Sequence, residues 1–559
     1  MTIDDLPNDV LLMIFNFYVV GYQDVNVLDA VFDRRDTIRK IESWQLLVHV
    51  CRRWRGLVFE SPRRLNLRLF CTPGAFASQS LDVTVWPALP LLIKGDFSDE
   101  TSMDNVIAEL EHSDRICQIN LSCYTPLQIE KLWTAMQVPF PELEILCLHL
   151  SYAPVLLDSI LGGSASSLRY LALYRIPFPR LPKLLMSTTH LVHLYLVGIP
   201  HSGYISPDAM VACLSVLTSL ETLQFEFESP QSFLDQESRR STSPTRSVIP
   251  ALTDFEFKGV NEYLEELVAH IEIPRLCRFS ATFFNDIDFD TSELIQFVSQ
   301  SSILKAPHKA RVFFGNGIAS VTFQSQSRIV QYFRVKISCR KSSWQLSSLA
   351  QICTTGLPLL STTEDLFIFE PVSPQLYWNW KSSIENIEWM ELLLPFTAVK
   401  NLYLSRQFAL YIAPALQEMT GDGATGLLPD LQNLYLEGFE QSKSVEAGIE
   451  RFISARQLAN CPVAISVWDT RDLFQDKLER FEEEYELEEI FEPDRYVAIF
   501  FQKKKHKSTA THADEVHKSL HSHNYTDCKP EPCQILGGCT SRINVPGLTC
   551  TSHLPYLFD

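Results

Sequence analysis

The sequence predicts an α/β chain: an N-terminal helical unit, then a long irregular repeat solenoid, then a disordered C-terminal tail. Three observations predict it. Two amphipathic helical patterns fill the first sixty residues; an apolar template then recurs from Ala88 to Leu436; and periodicity is lost beyond residue 502. The expected domains are 1–70, 71–470, an acidic helical cap at 471–501, and the tail at 502–559.

The helical patterns cover residues 6–20 and 43–60. In the first, Pro7 suits an opening turn, and Val10, Leu11, Ile14, Phe15, Phe17 and Tyr18 recur at three- and four-residue steps. The second sets Trp44, Leu47, Val48, Cys51, Trp54 and Val58 on one stripe. Arg52, Arg53 and Arg55 lie toward its end, where cations favour the helix dipole, and Ser61-Pro62 stops it.

The repeat template is an apolar residue, two variable residues, an apolar residue, one variable residue, and an apolar residue. It fits Ile116/Ile119/Leu121, Leu143/Leu146/Leu148, Leu168/Leu171/Leu173, Leu191/Leu194/Leu196, Leu220/Leu223/Phe225 and Leu252/Phe255/Phe257. It returns at Val330/Phe333/Val335, Val399/Leu402/Leu404 and Leu431/Leu434/Leu436. Looser matches are Ala88/Leu91/Ile93, Leu276/Phe279/Ala281 and Thr363/Leu366/Ile368. The first six clear starts step by 27, 25, 23, 29 and 32 residues. Strand patterns at such spacing resemble leucine-rich repeats, in which each unit offers a short strand and a packed return segment. Pro126–Met136 and Pro207–Leu217 read as helical returns. The 54 residues from Leu276 to Val330 leave room for one degenerate unit near Arg311-Val312-Phe313-Phe314. The place three beyond the last template apolar, where such repeats carry a laddering Asn, holds Tyr124, Ser151, Ile176, Ile199, Glu228 and Phe439, so no ladder is expected there.

Residues 229–250 are rich in Ser, Pro and Arg and read as a disordered inserted loop containing Ser243-Pro244. Val463 to Trp468 reads as a last strand, and Asp476 to Asp494 as a solvated capping helix. The tail opens on Lys503-Lys504-Lys505-His506-Lys507.

Composition narrows the function. The formal charge of −19 disfavours nucleic acid and anionic membrane as main partners. The opening Met1-Thr2-Ile3-Asp4-Asp5 is acidic where a secretory leader is basic, and the run Val10–Val20 is too short to span a bilayer. Fourteen cysteines, mostly within apolar segments such as those of Cys117, Cys147, Cys213 and Cys277, read as reduced core thiols. The expected location is cytoplasmic or nuclear. No phosphate-cradling loop, zinc helix or nucleophile elbow occurs, so no enzyme, cofactor or metal is expected. The tail's His506, His512, His517, His521, His523, Cys528, Cys533, Cys539, Cys550 and His553 lack the close pairing of structural zinc sites.

Leu6-Pro7-Asn8-Asp9-Val10-Leu11-Leu12-Met13-Ile14-Phe15 resembles the opening of the F-box. Val48-His49-Val50-Cys51-Arg52-Arg53-Trp54-Arg55-Gly56-Leu57-Val58 is similar to its second half. The stretch between Val20 and Ser43 is longer than the family usually places there. The resemblance covers about 60 residues and implies binding to the Skp adapter of SCF-type cullin–RING ubiquitin ligases. The implied adapter-binding residues are Leu6, Pro7, Val10, Leu11, Ile14, Phe15, Val50, Cys51, Trp54 and Leu57. The repeats would then bind a target protein through strand residues between the template apolars, with Tyr170, Tyr174, His193, Tyr195 and Tyr435 as candidates. Two other classes stay open: a repeat scaffold with no ubiquitin link, and a receptor for a small ligand.

Overall fold

The recurring apolar residues lie side by side across one large sheet, because such a strand buries its alternate residues only against neighbours. The computed structural model describes residues 3, 6–20, 44–61, 64–65, 67–71, 89–97, 100–123, 126–150, 159–230, 246–284, 292–300, 307–315, 317–325, 331–339, 342–354, 360–369, 386–418, 427–437, 443–468, 486–487 and 501–502. The chain is mixed α/β, and among the described residues its main sheet has 16 strands in an open, mostly parallel order.

Three helices come first: α1 (Asn8–Val20), α2 (Trp44–Val48) and α3 (Arg52–Glu60). The single helix expected over 43–60 is therefore two. Cys51 is extended between them (φ −157°, ψ 169°), and its Sγ accepts the Trp54 N–H at 3.4 Å. A short side chain that caps the next helix cannot also continue the previous one. The chain then enters β1 (Leu69–Cys71), a strand the repeat template does not reach, and β2 (Leu91–Phe97).

The first half of the sheet continues through β3 (Ile116–Cys123), β4 (Ile145–Leu150), β5 (Tyr170–Tyr174), β6 (His193–Ile199) and β7 (Thr222–Phe227). Returns are helical at α4 (Glu100–Leu110), α5 (Pro126–Ala135), α6 (Leu181–Leu185) and α7 (Pro207–Val216). The α7 start was legible in sequence: Ser206 accepts the Ala209 N–H at 3.3 Å and Pro207 follows as the first helical residue. Within the expected loop 229–250, Ser247–Val248 (β8) is ordered as a short strand parallel to β10 (Ile271–Glu272). Ser243-Pro244 lies outside the described residues. Strand β9 (Asp254–Gly259), helix α8 (Asn261–Ala269) and strand β11 (Arg278–Phe284) complete this half.

The middle departs from the repeat. Where one degenerate unit was expected, the chain runs through α9 (Ser292–Gln300) into β12 (Lys309–Gly315), β13 (Ile318–Gln324) and β14 (Tyr332–Ser338). Strand order is β11-β14-β13-β12, with β13 antiparallel to both neighbours. Gly315 pairs with Ile318, and between them Gly317 adopts φ +71°; Asn316 lies outside the described residues. An Asn-Gly pair is the strongest short hairpin signal, because two-residue turns need positive φ.

The second half resumes parallel pairing through β15 (Asp365–Phe369), β16 (Asn401–Leu404), β17 (Asn433–Glu437) and β18 (Ala464–Trp468). Its returns include α10 (Ser342–Thr354), α11 (Asn386–Leu393), α12 (Arg406–Glu418) and α13 (Lys443–Leu458). In the expected acidic cap, the described Glu486–Leu487 are extended and pair with Phe501–Gln502, so a continuous helix does not run through that point. The tail, with its His and Cys residues, lies outside the described residues.

Register ties the halves together. Ile119, Leu146, Leu171, Leu194, Leu223, Phe255, Phe279 and Phe333 are successive partners across eight strands, and Leu366, Leu402, Leu434 and Ile465 across four more. Except for Ile465 on the terminal strand, which is exposed, these side chains join the inward helix residues in one core, whereas clusters on the opposite face contain strand residues alone. Among the described residues no helix is long and apolar enough to cross a membrane.

Leu171 is fully buried within this row. Leu171→Ala should cost about 2–5 kcal/mol by leaving a cavity, and Leu171→Asp should abolish cooperative unfolding, as chemical denaturation would report. Unchanged midpoints would rule out a shared core along the row.

Candidate functional site

Two surfaces carry side chains that the fold itself does not consume. The first is on the N-terminal helices. Helix α1 is apolar nearly all round. Leu11, Leu12 and Phe15 point into the core, where the Phe15 ring meets Trp54 at 4.7 Å between centroids. Val10, Met13, Ile14 and Phe17 form a second stripe at i, i+3, i+4 and i+7, and all four are exposed, Phe17 at 78%. At 3.6 residues per turn the two stripes lie on roughly opposite sides of the helix. Leu46 and Val50 are exposed as well.

The inward half is held by α2 and α3. Trp44 is fully buried, donates its indole N–H to Arg68 O at 3.1 Å, and meets Phe59 edge-on. Arg53 clamps the chain start, its Nη2 donating to Leu6 O at 2.5 Å and to Asn8 Oδ1 at 2.8 Å. Arg55 Nε donates to Val48 O at 2.9 Å across the break between α2 and α3.

The structure thus divides the ten residues singled out for docking. Val10, Ile14, Val50 and Pro7 are exposed, Leu6 and Cys51 are half-buried, and Leu11, Phe15, Trp54 and Leu57 are closed inside the chain. The last four build the surface and cannot touch a partner directly. Met13, Phe17 and Leu46 belong to the exposed set and were not singled out, although Phe17 continues the 10-14-17 spacing.

The second surface is the sheet face on which, among the described residues, the clusters are built from strand residues alone. Its first aromatic cluster gathers Tyr170, Tyr174 and Tyr195 around Ile145, Cys147 and Ala172. Tyr170 lies 5.3 Å from Tyr195 and 5.8 Å from His193, and His149 meets Tyr174 edge-on at 5.7 Å. Of the candidates here, Tyr174, His193 and Tyr195 are half-buried and reachable. Tyr170 is 2% exposed, roofed by its neighbours over the small Cys147 and Ala172. Burial pushes the Tyr170 and Tyr174 phenols and the Cys147 thiol up, the thiol to about 12, and lowers the His193 imidazole. Further along, burial raises the Glu226 carboxyl, opposed by the Gln224 amide that donates to it at 2.5 Å.

The second aromatic cluster lies on β12 and β15–β18. Phe367, Tyr403 and Tyr435 stack as a ladder, with centroids 4.1 and 4.3 Å apart and planes within 8°. Trp468 packs edge-on to Tyr403 at 5.5 Å and donates its indole N–H to Leu404 O at 3.0 Å. Beside it runs a polar ladder: Asn433 Nδ2 donates to Asn401 Oδ1 at 2.8 Å, and Asn401 Nδ2 to Asp365 Oδ1 at 2.7 Å. An asparagine ladder therefore exists, but at the first open-face position of each strand rather than after the template. Tyr435 was foreseen as a recognition residue; Phe367, Tyr403 and Trp468 were missed, though Phe367 and Tyr403 occupy variable template places.

The thiol environments set a pH dependence. Burial raises Cys147 and Cys353 to about 12 and Cys117 to about 11, from an ordinary value of 9.0. The unfolded chain releases these protons first, so their contribution to stability is complete below pH 9 and is lost as pH climbs toward 12. Denaturation midpoints should fall steadily above pH 9, and Cys147 and Cys353 should resist alkylation at pH 8.5 until denaturant is added.

Among the described residues no group of three His, Cys, Asp or Glu is placed to hold a metal ion. No protein-family model matches the chain, and no curated protein matches it, so its function is read from its own side chains.

Proposed function

We propose that the chain is a non-catalytic substrate adapter of an SCF-type cullin–RING ubiquitin ligase. Residues 1–70 act as an F-box on the Skp adapter, and the leucine-rich-repeat-like solenoid behind them holds a target protein on its open face. The carrying observation is the doubled apolar character of α1: one stripe is consumed by the core, while Val10, Met13, Ile14 and Phe17 stay exposed. Exposed apolar stripes of this kind mark protein interaction sites. The Leu-Pro opening and the Val-Cys-x-x-Trp run point the same way by resemblance. The Cys51 cap and the Phe15–Trp54 contact give that run a physical reason, since they fix how α3 meets α1.

The mechanism is proximity. A target held on the sheet and a transferring enzyme held through the helices share one assembly, which raises the effective concentration of the target's lysines. The open face suits protein recognition because tyrosine and tryptophan combine large contact area with a polar tip. Residues serving it are Tyr174, His193 and Tyr195 in the first cluster and Tyr403, Tyr435 and Trp468 in the second, where the buried Phe367 supports the ladder from beneath. The expected setting is cytoplasm or nucleus, where such ligases work.

Phe17→Asp should reduce capture of the Skp adapter by at least tenfold while leaving the melting temperature within a degree or two, because the side chain is already in water. Trp54→Ala should lower both, by about 3–5 kcal/mol in stability. Wild-type chain that fails to capture the adapter, or Phe17→Asp protein that captures it normally, would remove the ligase link and leave a repeat scaffold. Native mass spectrometry of purified chain should show the bare polypeptide mass; a retained small ligand would favour the receptor class instead.

A further inference from the structure

Between the two aromatic clusters the open face becomes cationic. Strands β11, β12, β13 and β14 hold Arg278, Lys309, Arg311, Arg334 and Lys336 and not one Asp or Glu, in a chain whose net charge is −19. The antiparallel insertion arranges these residues. Ser280, Arg334, Thr322 and Arg311 are successive cross-strand partners on β11, β14, β13 and β12, and Thr282, Lys336 and Ser320 form the next row. Arg334 and Arg311 therefore flank Thr322 of β13, and Lys336 and Phe313 flank Ser320. The flanking strands stand about 10 Å apart, at twice the inter-strand spacing. Ser320 and Thr322 are buried at the bottom of this trough.

Counterions distinguish its members. Arg278 pairs with Asp254, and Lys336 reaches Glu256 at 3.6 Å; both acids stand on β9, outside the trough. Arg334 is half-buried and leans the other way. Its Nε donates to Thr322 Oγ1 at 3.1 Å, its guanidinium carbon sits 5.1 Å from the Tyr332 ring centroid, and it makes no ion pair among the described residues. On the far side of Arg334, on β11 and outside the trough, the Ser280 hydroxyl is buried with no hydrogen-bond partner among the described residues. A half-buried guanidinium with no ion pair among the described residues is costly unless an anion supplies the missing acceptors.

We infer that the trough over β13 binds a phosphate monoester, carried as phosphoserine or phosphothreonine on a partner protein. Two guanidinium groups from opposite walls, with hydroxyl donors between them, suit a dianion with three acceptor oxygens. A carboxylate offers two oxygens in one plane, enough for a single guanidinium fork. Phe313, half-buried on β12, borders the trough toward β15 and gives the peptide around the phosphate apolar surface to lie on. This inference rests on the reading that the open face receives a protein, and is independent of adapter docking.

The test titrates purified full-length chain, at constant ionic strength, with a blocked Gly-Gly-phosphoserine-Gly-Gly peptide, with the same peptide bearing serine or glutamate, and with inorganic phosphate. Calorimetry should show saturable binding of the phosphopeptide and of phosphate, at least tenfold tighter than the glutamate peptide. Arg334→Gln should weaken that binding at least tenfold, Arg334→Lys by less, and Lys131→Gln, far off on α5, not at all. If Arg334→Gln does not fold, Lys309→Gln replaces it with an expected loss of several-fold. Absence of saturable phosphate binding, equal affinity for the glutamate peptide, or unchanged affinity in a folded Arg334→Gln chain each overturns the site. Adapter capture by the same variants separates the two ideas: Phe17→Asp should lose the adapter and keep phosphate, and Arg334→Gln the reverse. Crosslinking of a partner protein to the open face while phosphate fails to bind would sink the phosphate site alone.

Discussion

Everything in this chain depends on one constraint: no strand can bury its apolar residues by itself. A unit of about 25 residues offers two or three inward side chains and a return segment, too little to repay the entropy of ordering it. Stacking changes that balance, because the second template apolar of each strand meets its counterpart on the next. The row from Ile119 to Phe333 is continuous, and Leu366 to Ile465 extends it. Inward positions are thereby committed to Leu, Ile and Phe. The variable positions between them are released to the opposite face, where the aromatic clusters, the polar ladder and the cationic trough all sit.

The N-terminal helices meet the same constraint differently. Helix α1 has more apolar surface than the core below it can accept. Trp44, Trp54 and Phe15 decide which half turns inward, and the half carrying Phe17 is left over. The arrangement is stable because α3 is anchored by its own cap and by the Arg53 and Arg55 hydrogen bonds. The remaining stripe can therefore stay in water without loosening the fold.

Much of this was legible in the residues. Among the described residues, every template match falls on a strand or its immediate approach, since the spacing records a strand with one buried face. Ser206-Pro207 marked a helix start by capping chemistry. What escaped depends on neighbours across the sheet. The pattern around Tyr170 says that it faces away from the core, but Cys147 and Ala172 beside it are small, so the ring lies down and is roofed. Trp468 looks like the end of a last strand until Tyr403, two strands away, gives its ring a wall. The Asn316-Gly317 signal was readable, yet a repeat reading absorbs two strands and a turn into one weak unit. Arg334 carried no sequence signal, since its lack of an ion pair among the described residues is a property of the strands around it.

The hairpin also governs how the molecule can be assembled. In a purely parallel array each new unit docks on the one just formed, so order can spread from either end. Here β12 leaves β11 and must take a place beyond two strands that come later in the chain. Growth from the N-terminal side halts at β11 until β13 and β14 have turned back to fill the gap, a closure over longer sequence separation and a slower one. The array thus has a kinetic seam at its centre, and on a ribosome its first half would be complete and waiting before its second half could attach.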